Sequence, residues 1–152
     1  MVLQGAVAGA LATAAMSAAM FGFKKLGLMG EMPPERITSR MLDRLGVPRS
    51  REAQDVAASV SHVAFGAAGG AGFGALRAWL PPSIPTLPLG VLFATAIWAV
   101  SYAGWAPALG LMPPPQEDRP GRQPSMIAAH LVYGAALAVL VHRLSLRRQV
   151  NR

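Results

Sequence analysis

The stretch VLQGAVAGALATAAMSAAMFGF, residues Val2–Phe23, contains no charged side chain. About 20 helical residues cross the ~30 Å hydrocarbon core of a bilayer, and this stretch is long enough to do so. A helix on the surface of a soluble protein needs a polar, charged face, which this stretch lacks. The sequence therefore predicts that Val2–Phe23 is a transmembrane helix.

Three more stretches lack Asp, Glu, Lys and Arg, and they predict further helices at about Val56–Leu76, Leu89–Leu111 and Ser125–Val141. Charged residues make up only 14% of the chain, against about 25% in soluble proteins. We therefore predict an all-α fold, an integral membrane four-helix bundle, in which residues 1–152 form a single transmembrane domain.

The polar connection after the first helix contains a further helical pattern. Pro33 and Pro34 suit a helix start, and Gly46 suits a helix end. An apolar stripe runs beside a basic one; the apolar residues are Ile37, Met41 and Leu45, and the basic residues are Arg36, Arg40 and Arg44. Two interpretations are open: a short amphipathic helix on the lipid surface, or an ordinary helix packed over the end of the bundle.

Glycines recur at helix-packing intervals. Gly5 and Gly9 form one GxxxG motif, and Gly66, Gly70 and Gly74 form a doubled one. Small residues let helix backbones approach closely in lipid. These glycines, with Gly134 in the last helix, are therefore predicted to pack against other helices, within the chain or in a neighbouring molecule.

The two halves of the chain resemble each other. Residues 61–68, SHVAFGAA, align with residues 129–136, AHLVYGAA, and the motif Gly-Leu-Met precedes paired prolines in each half. We interpret the chain as two duplicated helical hairpins, residues 2–79 and 86–148. Parallel repeats of this kind are related by an axis along the membrane normal, which predicts equivalent depths for His62 and His130.

A family resemblance lies in the C-terminal two-thirds of the chain. Gly110-Leu111-Met112-Pro113-Pro114 and His130-Leu131-Val132-Tyr133, with the basic residues Arg143 to Arg148, are similar to the YagU-like proteins of the bacterial inner membrane. That family is a domain of unknown function. The resemblance implies a multi-pass protein of the bacterial inner membrane and supplies no catalytic residues.

The side on which the connections lie is indicated by the basic residues. The connections after the first and third helices carry more Lys and Arg than the opposite side. The positive-inside rule then favours cytoplasmic connections, although the basic C-terminal tail argues for the opposite orientation.

His62 and His130 are the ionisable residues that the pattern places within the membrane. In one interpretation they hydrogen-bond to Ser59, Ser61, Thr95, Ser101 or a backbone carbonyl and hold the bundle together. In another they form a bis-histidine haem or metal site. In a third they titrate and gate a pore. No metal is predicted, because two histidines without further ligands are a weak signal.

Catalytic patterns are missing from the sequence. It contains no P-loop, HExxH or GxSxG motif, and no cysteine for thiol chemistry. Acidic residues fall in the connections, where they are interpreted as solvated charges or as helix-start residues favoured by the helix dipole: Glu31, Glu35, Glu52, Asp55, Glu117 and Asp118. No catalytic residue is therefore predicted.

These observations lead to a hypothesis about function. We expect a non-enzymatic scaffold, accessory or envelope-stress component that self-associates or binds a membrane-protein partner. The first alternative is an oligomeric passive channel or transporter lined by His62 and His130, and the second is a bis-histidine haem subunit. No cofactor is expected under the leading hypothesis, nor nucleic acid as a partner, because aromatic and basic residues are not interleaved.

Overall fold

The computed structural model describes the backbone of residues 1–150 and the side chains as far as Leu146. Over this part the chain is all-helical, without strands. The helices are α1 (Val2–Lys25), α2 (Pro33–Arg44), α3 (Arg51–Trp79), α4 (Thr86–Ala108) and α5 (Arg122–Val150). All except α2 are long and apolar enough to cross a membrane, so the predicted fold class is confirmed.

Two of the helices are longer than the charge-free stretches that predicted them. The Ser50 side chain accepts a hydrogen bond from the backbone N–H of Ala53 at 3.1 Å. This N-cap lets α3 begin at Arg51 rather than at Val56. Helix α5 begins at Arg122 rather than at Ser125. The charge-free stretches do not include these turns, because the end of a transmembrane helix that lies outside the hydrocarbon core can carry charged residues.

Helices α1 and α4 end with the same backbone geometry. Gly27 and Gly110 both adopt positive φ, at 77° and 62°. The N–H of Leu28 bonds the carbonyl of Phe23 at 3.0 Å, and that of Leu111 bonds the carbonyl of Ala106 at 2.9 Å. This is the Schellman arrangement, in which glycine tolerates the left-handed conformation. Helix α4 therefore ends at Ala108, before the predicted limit at Leu111.

Glycine contacts join α1 to α3 along their length. Gly5 faces Gly70 and Gly74, and Gly9 faces Gly66 and Gly70. A Cβ atom added at Gly74 would lie 2.5 Å from the carbonyl oxygen of Met1, closer than any real Cβ contact. The two GxxxG motifs thus meet within one chain, and their backbones touch.

Helices α4 and α5 meet in a similar way at one point. A Cβ atom added at Gly90 would lie 2.7 Å from the Gly134 carbonyl oxygen and 2.7 Å from Ala138 Cβ. Gly90 has no GxxxG partner in its helix, so the sequence pattern did not identify it. At its contact with Gly134, backbone meets backbone in the second pair of helices as well.

Helices α3 and α4 are held apart by large side chains, whereas α1 contacts both α3 and α5 extensively. Phe73 meets Phe93 with ring centroids 5.4 Å apart, and Phe65 meets Trp105 at 6.3 Å. The bundle is therefore tight on three sides and looser on the fourth, where side chains rather than backbones fill the gap.

Helix α2 packs across the end of the bundle where the chain passes from α1 to α3 and from α4 to α5 (the connection end). It contacts α3, Pro33 is buried, and the Arg40 guanidinium donates to the Gly110 carbonyl at 2.9 Å. The Glu35 carboxylate accepts a hydrogen bond from the N–H of Met32 at 3.2 Å and so caps the helix start. This position corresponds to the interpretation of α2 as a helix packed over the bundle's end.

Candidate functional site

A cavity of about 230 Å³ lies beneath α2. All five helices contribute to its wall, and between α3 and α4 large side chains rather than backbones border it. Apolar residues dominate the lining; they include Met16, Met20, Ile37, Met41, Phe65, Ile97, Trp105 and Met126. The cavity also brings His62 and His130 to one space, which the sequence did not establish.

His130 is held by its own helix. Its Nδ1 atom lies 2.8 Å from the carbonyl oxygen of Met126, one turn earlier, and the residue is 6% exposed. A carbonyl oxygen only accepts, so Nδ1 carries the proton and donates it. The neutral ring then has a bare Nε2, which is the coordinating or accepting atom of this residue.

His62 is held across a helix interface. Its Nδ1 lies 3.5 Å from the Ser17 hydroxyl on α1. The serines and threonines considered as partners are occupied elsewhere: Ser59, Thr95 and Ser101 donate to carbonyls one turn earlier, and Ser61 pairs with Thr38 and the Ala58 carbonyl. The partner of His62 is therefore Ser17, while His130 uses a backbone carbonyl.

A π-helical turn in α4 borders the cavity. Residues Ser101–Trp105 form this turn, and both end residues line the cavity. Pro107 lacks the N–H that would bond the Ala103 carbonyl in a regular helix. The π-helical turn therefore lies where one hydrogen bond of the α-helix is missing. Such π-bulges occur frequently at functional sites. Here the turn widens α4 where α3 diverges from it.

Three hydroxyl groups in the cavity wall already donate hydrogen bonds to backbone carbonyls. Thr13 donates to the Gly9 carbonyl at 2.8 Å, Ser101 to the Ile97 carbonyl at 2.6 Å, and Tyr133 to the Gly66 carbonyl at 2.7 Å. Their oxygen atoms remain available only as acceptors. Together with His130 Nε2, they give the cavity an electron-rich lining without a carboxylate.

A buried ion pair closes the connection end beside the cavity. Arg122 bonds Asp118 at 2.7 Å, with side chains 4% and 3% exposed. The Tyr102 hydroxyl also donates to Asp118 at 2.7 Å. Arg122 further donates to the Met29 and Glu31 carbonyls at 2.9 and 3.2 Å. The interpretation of Asp118 as a solvated charge was wrong, because nothing in the local sequence reveals that the connection folds inward.

The other predicted residues are the packing glycines and the basic residues of α2. All the predicted packing glycines, Gly134 included, lie in direct helix contacts. Of the predicted lipid-surface residues, Arg40 and Arg44 reach Gly110 at the end of α4, and Arg36 is half-buried. The methionines of the cavity were missed, because methionine in an apolar helix gives no signal that separates a ligand from core packing.

The cavity size bears on the haem hypothesis. Pockets for drug-sized ligands start at about 300 Å³, whereas this cavity holds about 230 Å³. A porphyrin macrocycle would require the helices to separate. The two histidines are suitable axial ligands by chemistry, but the space between them does not fit the group.

The family of the chain is shown by a family model that matches residues 1–152. The chain belongs to DUF6789, a family of unknown function. No curated protein and no solved structure matches the chain. Whole-chain membership of this family and four apolar helices of spanning length identify a multi-pass membrane protein. The comparisons supply no link to the YagU-like proteins or to bacteria.

Proposed function

We propose that this member of DUF6789 is a non-enzymatic accessory protein that self-associates in the membrane through α3. The proposal rests on one observation, the composition of the outward face of that helix. A heptad seam of small residues runs along it, formed by Ala57, Ser61, Ala64, Ala68, Ala71, Ala75 and Ala78. These residues are exposed or half-exposed, and Ser61, towards the start of α3, also pairs with Thr38 of α2 and lines the cavity. The residues that α3 buries against the bundle, among them Gly66 and Gly70, lie on its other side.

The length of the seam suits a membrane interface. From Ala64 to Ala78, beyond the contact of Ser61 with α2, it extends about 21 Å at 1.5 Å per residue, about two thirds of the ~30 Å hydrocarbon thickness. Lipid tails give no hydrophobic reason for helices to associate, so close van der Waals packing of small residues becomes the driving force. Alternating spacings of three and four residues favour a left-handed crossing with a second copy.

The outward faces of the other helices differ from this seam. Leu3 on α1 is 78% exposed, Leu92 on α4 is 67% exposed and Val139 on α5 is 42% exposed. Bulky side chains contact lipid tails well and keep other helices at a distance. Helix α3 also exposes bulky residues, among them Val60 at 63% and Phe65 at 48%, but they flank the seam of small residues. The continuity of that seam supports α3 as the helix that approaches a partner.

Cysteine cross-linking in native membranes tests the proposal. The chain has no cysteine, so Ala68→Cys introduces a single reporter at the centre of the seam. We expect oxidation to produce a disulfide-linked dimer, because small residues bring the two helices within disulfide distance. Ala96→Cys, on an exposed position of α4, is the matched control and should stay monomeric. Equal cross-linking of the two variants would contradict the proposal.

A second function class is favoured by the shared cavity of His62 and His130. An oligomeric passive channel would use these histidines as its lining, and protonation would change its conductance. Liposome flux measured between pH 5 and 8 distinguishes this class, with the range taken from the usual titration interval of histidine. Flux that is unchanged in His62→Ala and His130→Ala counts against it.

Origin and location complete the proposal. We attribute the matching ends of α1 and α4, and the contacts Gly9–Gly66 and Gly90–Gly134, to an ancestral two-helix hairpin that was duplicated. The motif resemblance to YagU-like proteins supports a bacterial inner membrane as the location. Fractionation of the native host, with detection in the cytoplasmic membrane, checks that location.

A further inference from the structure

Methionines cluster around the cavity. The chain has eight methionines, and Met16, Met20, Met41 and Met126 line this one space. Met1 lies at the opposite end of α1, with its sulfur 3.6 Å from the Ser145 hydroxyl. Met16, Met20 and Met126 are at most 6% exposed. Four methionines and both intramembrane histidines thus line the same cavity of about 230 Å³.

Both histidines have the arrangement of metal ligands. A metal-bound histidine usually engages an oxygen with its other ring nitrogen, which fixes the orientation of the ring. His130 Nδ1 bonds the Met126 carbonyl at 2.8 Å, and His62 Nδ1 faces the Ser17 hydroxyl at 3.5 Å. Met126 and His130 are one helical turn apart and therefore lie on the same face of α5. His130 Nε2 is therefore left for a ligand in the cavity, and His62 Nε2 is left for one in the tautomer whose Nδ1–H donates to Ser17.

We propose that this cavity binds copper(I), with His62 Nε2, His130 Nε2 and the thioether sulfurs of Met16 and Met126 as the ligand set. Thioether and imidazole are ligands that soft Cu(I) accepts, whereas carboxylate and water suit hard cations. No Asp or Glu lines the cavity, and residues 1–146 contain no group of three His, Asp or Glu that could hold a metal. Methionine therefore has to complete the site.

The charge of the ion also selects copper(I). Transfer of an unpaired charge into an apolar space is expensive, and the cost rises steeply from a monovalent to a divalent ion. The cavity offers lone pairs from neutral groups and no counter-charge among its lining residues. A monovalent, weakly hydrated, polarisable cation meets these conditions better than Zn²⁺ or Mg²⁺.

A route to the site runs past His62. A second cleft of about 370 Å³ lies among α1, α2 and α3, and His62 and Pro34 border both spaces. Glu35, Asp55 and Met32 line this cleft. The Glu35 carboxylate is engaged by Lys24 and by the Met32 N–H, so Asp55 is the carboxylate that attracts a cation from the aqueous phase, and Met32 offers a first soft ligand. His62 then stands between the acidic entrance and the methionine-lined cavity.

Copper(I) binding extends beyond the proposed self-association, and the two are tested separately. Purified full-length protein in mild detergent is titrated with Cu(I), anaerobically with ascorbate, against a chromophoric Cu(I) chelator. We expect one Cu(I) per chain at an affinity that withdraws copper from the chelator. Met16→Leu/Met126→Leu preserves side-chain volume and should weaken binding at least about 10-fold, since two ligands are lost.

Matched controls separate coordination from packing. Met29→Leu/Met112→Leu changes two buried methionines that do not line the cavity, and we expect unchanged affinity. His62→Ala/His130→Ala should reduce binding at least about 100-fold, beyond the effect of an outer-shell change. The methionine variants keep the proposal testable if the histidine variant does not fold.

X-ray absorption at the copper edge provides the structural readout. We expect both sulfur and imidazole nitrogen neighbours in the wild type, and fewer sulfur neighbours in Met16→Leu/Met126→Leu. The proposal is overturned by wild-type protein that leaves copper with the chelator. It is equally overturned by a copper shell of nitrogen and oxygen only, or by the same affinity in the cavity and control methionine pairs.

Discussion

The two ends of the bundle are packed by opposite means. At the end with the termini, Gly5 and Gly9 press against Gly70 and Gly74, and backbone meets backbone. At the connection end, long methionine side chains surround a cavity of about 230 Å³. Glycine contacts fix the distance between two helices and leave no room for adjustment. Methionine has three rotatable bonds and fills irregular space, so the adaptable end is the one suited to a ligand.

The largest expected effect comes from the glycine end. Gly70→Leu forces a side chain into the backbone of α1 at Gly5 and Gly9. We expect loss of the native bundle, a destabilisation beyond the roughly 4–5 kcal/mol of exceptional point mutants. Far-UV circular dichroism and size-exclusion chromatography in mild detergent measure the outcome.

Gly22→Leu is the control for this prediction. Gly22 lies in α1 as well, but an added Cβ atom there meets nothing within 4 Å. Replacement of an exposed helical glycine raises helix propensity, so this variant should fold as well as the wild type. If Gly70→Leu also folds and elutes normally, the backbone contact does not limit the packing of α1 and α3.

An intermediate effect is expected from the ion pair at the connection end. Arg122→Ala leaves the buried Asp118 carboxylate without its partner and removes the bonds to the Met29 and Glu31 carbonyls. We expect a loss of about 3–5 kcal/mol, the usual cost of breaking a buried pair. Unfolding with SDS, followed by circular dichroism, gives the free energy.

The comparison pair for Arg122 lies at the same end of the bundle. Lys24 bonds Glu35 at 3.5 Å, with side chains 40% and 31% exposed. An exposed ion pair contributes no more than about 1 kcal/mol, so Lys24→Ala should unfold close to the wild type. Similar losses in both variants would mean that burial does not strengthen the Arg122–Asp118 pair.

The sequence predicted one end of the molecule better than the other. Transmembrane helices and the GxxxG packing faces follow from local patterns, since hydropathy and spacing act within a single helix. The pairing of the α1 face with the α3 face is seen only in the structure. The inward fold of Asp118 and Arg122 depends on the hydrogen bonds of Arg122 to the carbonyls of Met29 and Glu31, which precede it by 93 and 91 residues. Single-sequence patterns carry no information about such pairs.

The candidate site shows the same division. His62 and His130 stand out in the sequence because a polar residue in an apolar helix is unusual. Their shared cavity depends on the rotation of α3 and α5 about their axes and on the π-helical turn Ser101–Trp105. Neither feature has a periodic signature. The methionines were invisible for a different reason, because they resemble any other apolar residue until their surroundings are known.

The smallest expected effect lies at the boundary between the two ends. The Tyr133 hydroxyl donates to the Gly66 carbonyl at 2.7 Å and links α5 to the last glycine contact beside the cavity. Tyr133→Phe keeps the ring and removes this bond. We expect a loss of about 0.5–1.5 kcal/mol, the net value of one neutral hydrogen bond, with the bundle otherwise intact. SDS unfolding of the purified variant measures it.

Thr95→Val gives the internal reference, because the Thr95 hydroxyl bonds only the Val91 carbonyl of its own helix, at 2.9 Å. Such back-bonding slightly destabilises helices, so its loss should leave the free energy of unfolding unchanged. A Tyr133→Phe loss above about 3 kcal/mol, beyond even hydrogen bonds to charged groups, would mean that Tyr133 sets the distance between α5 and α3. The fixed helix spacing of the glycine end would then extend as far as the cavity. The methionines around the cavity would adjust less to a ligand than their flexible side chains allow.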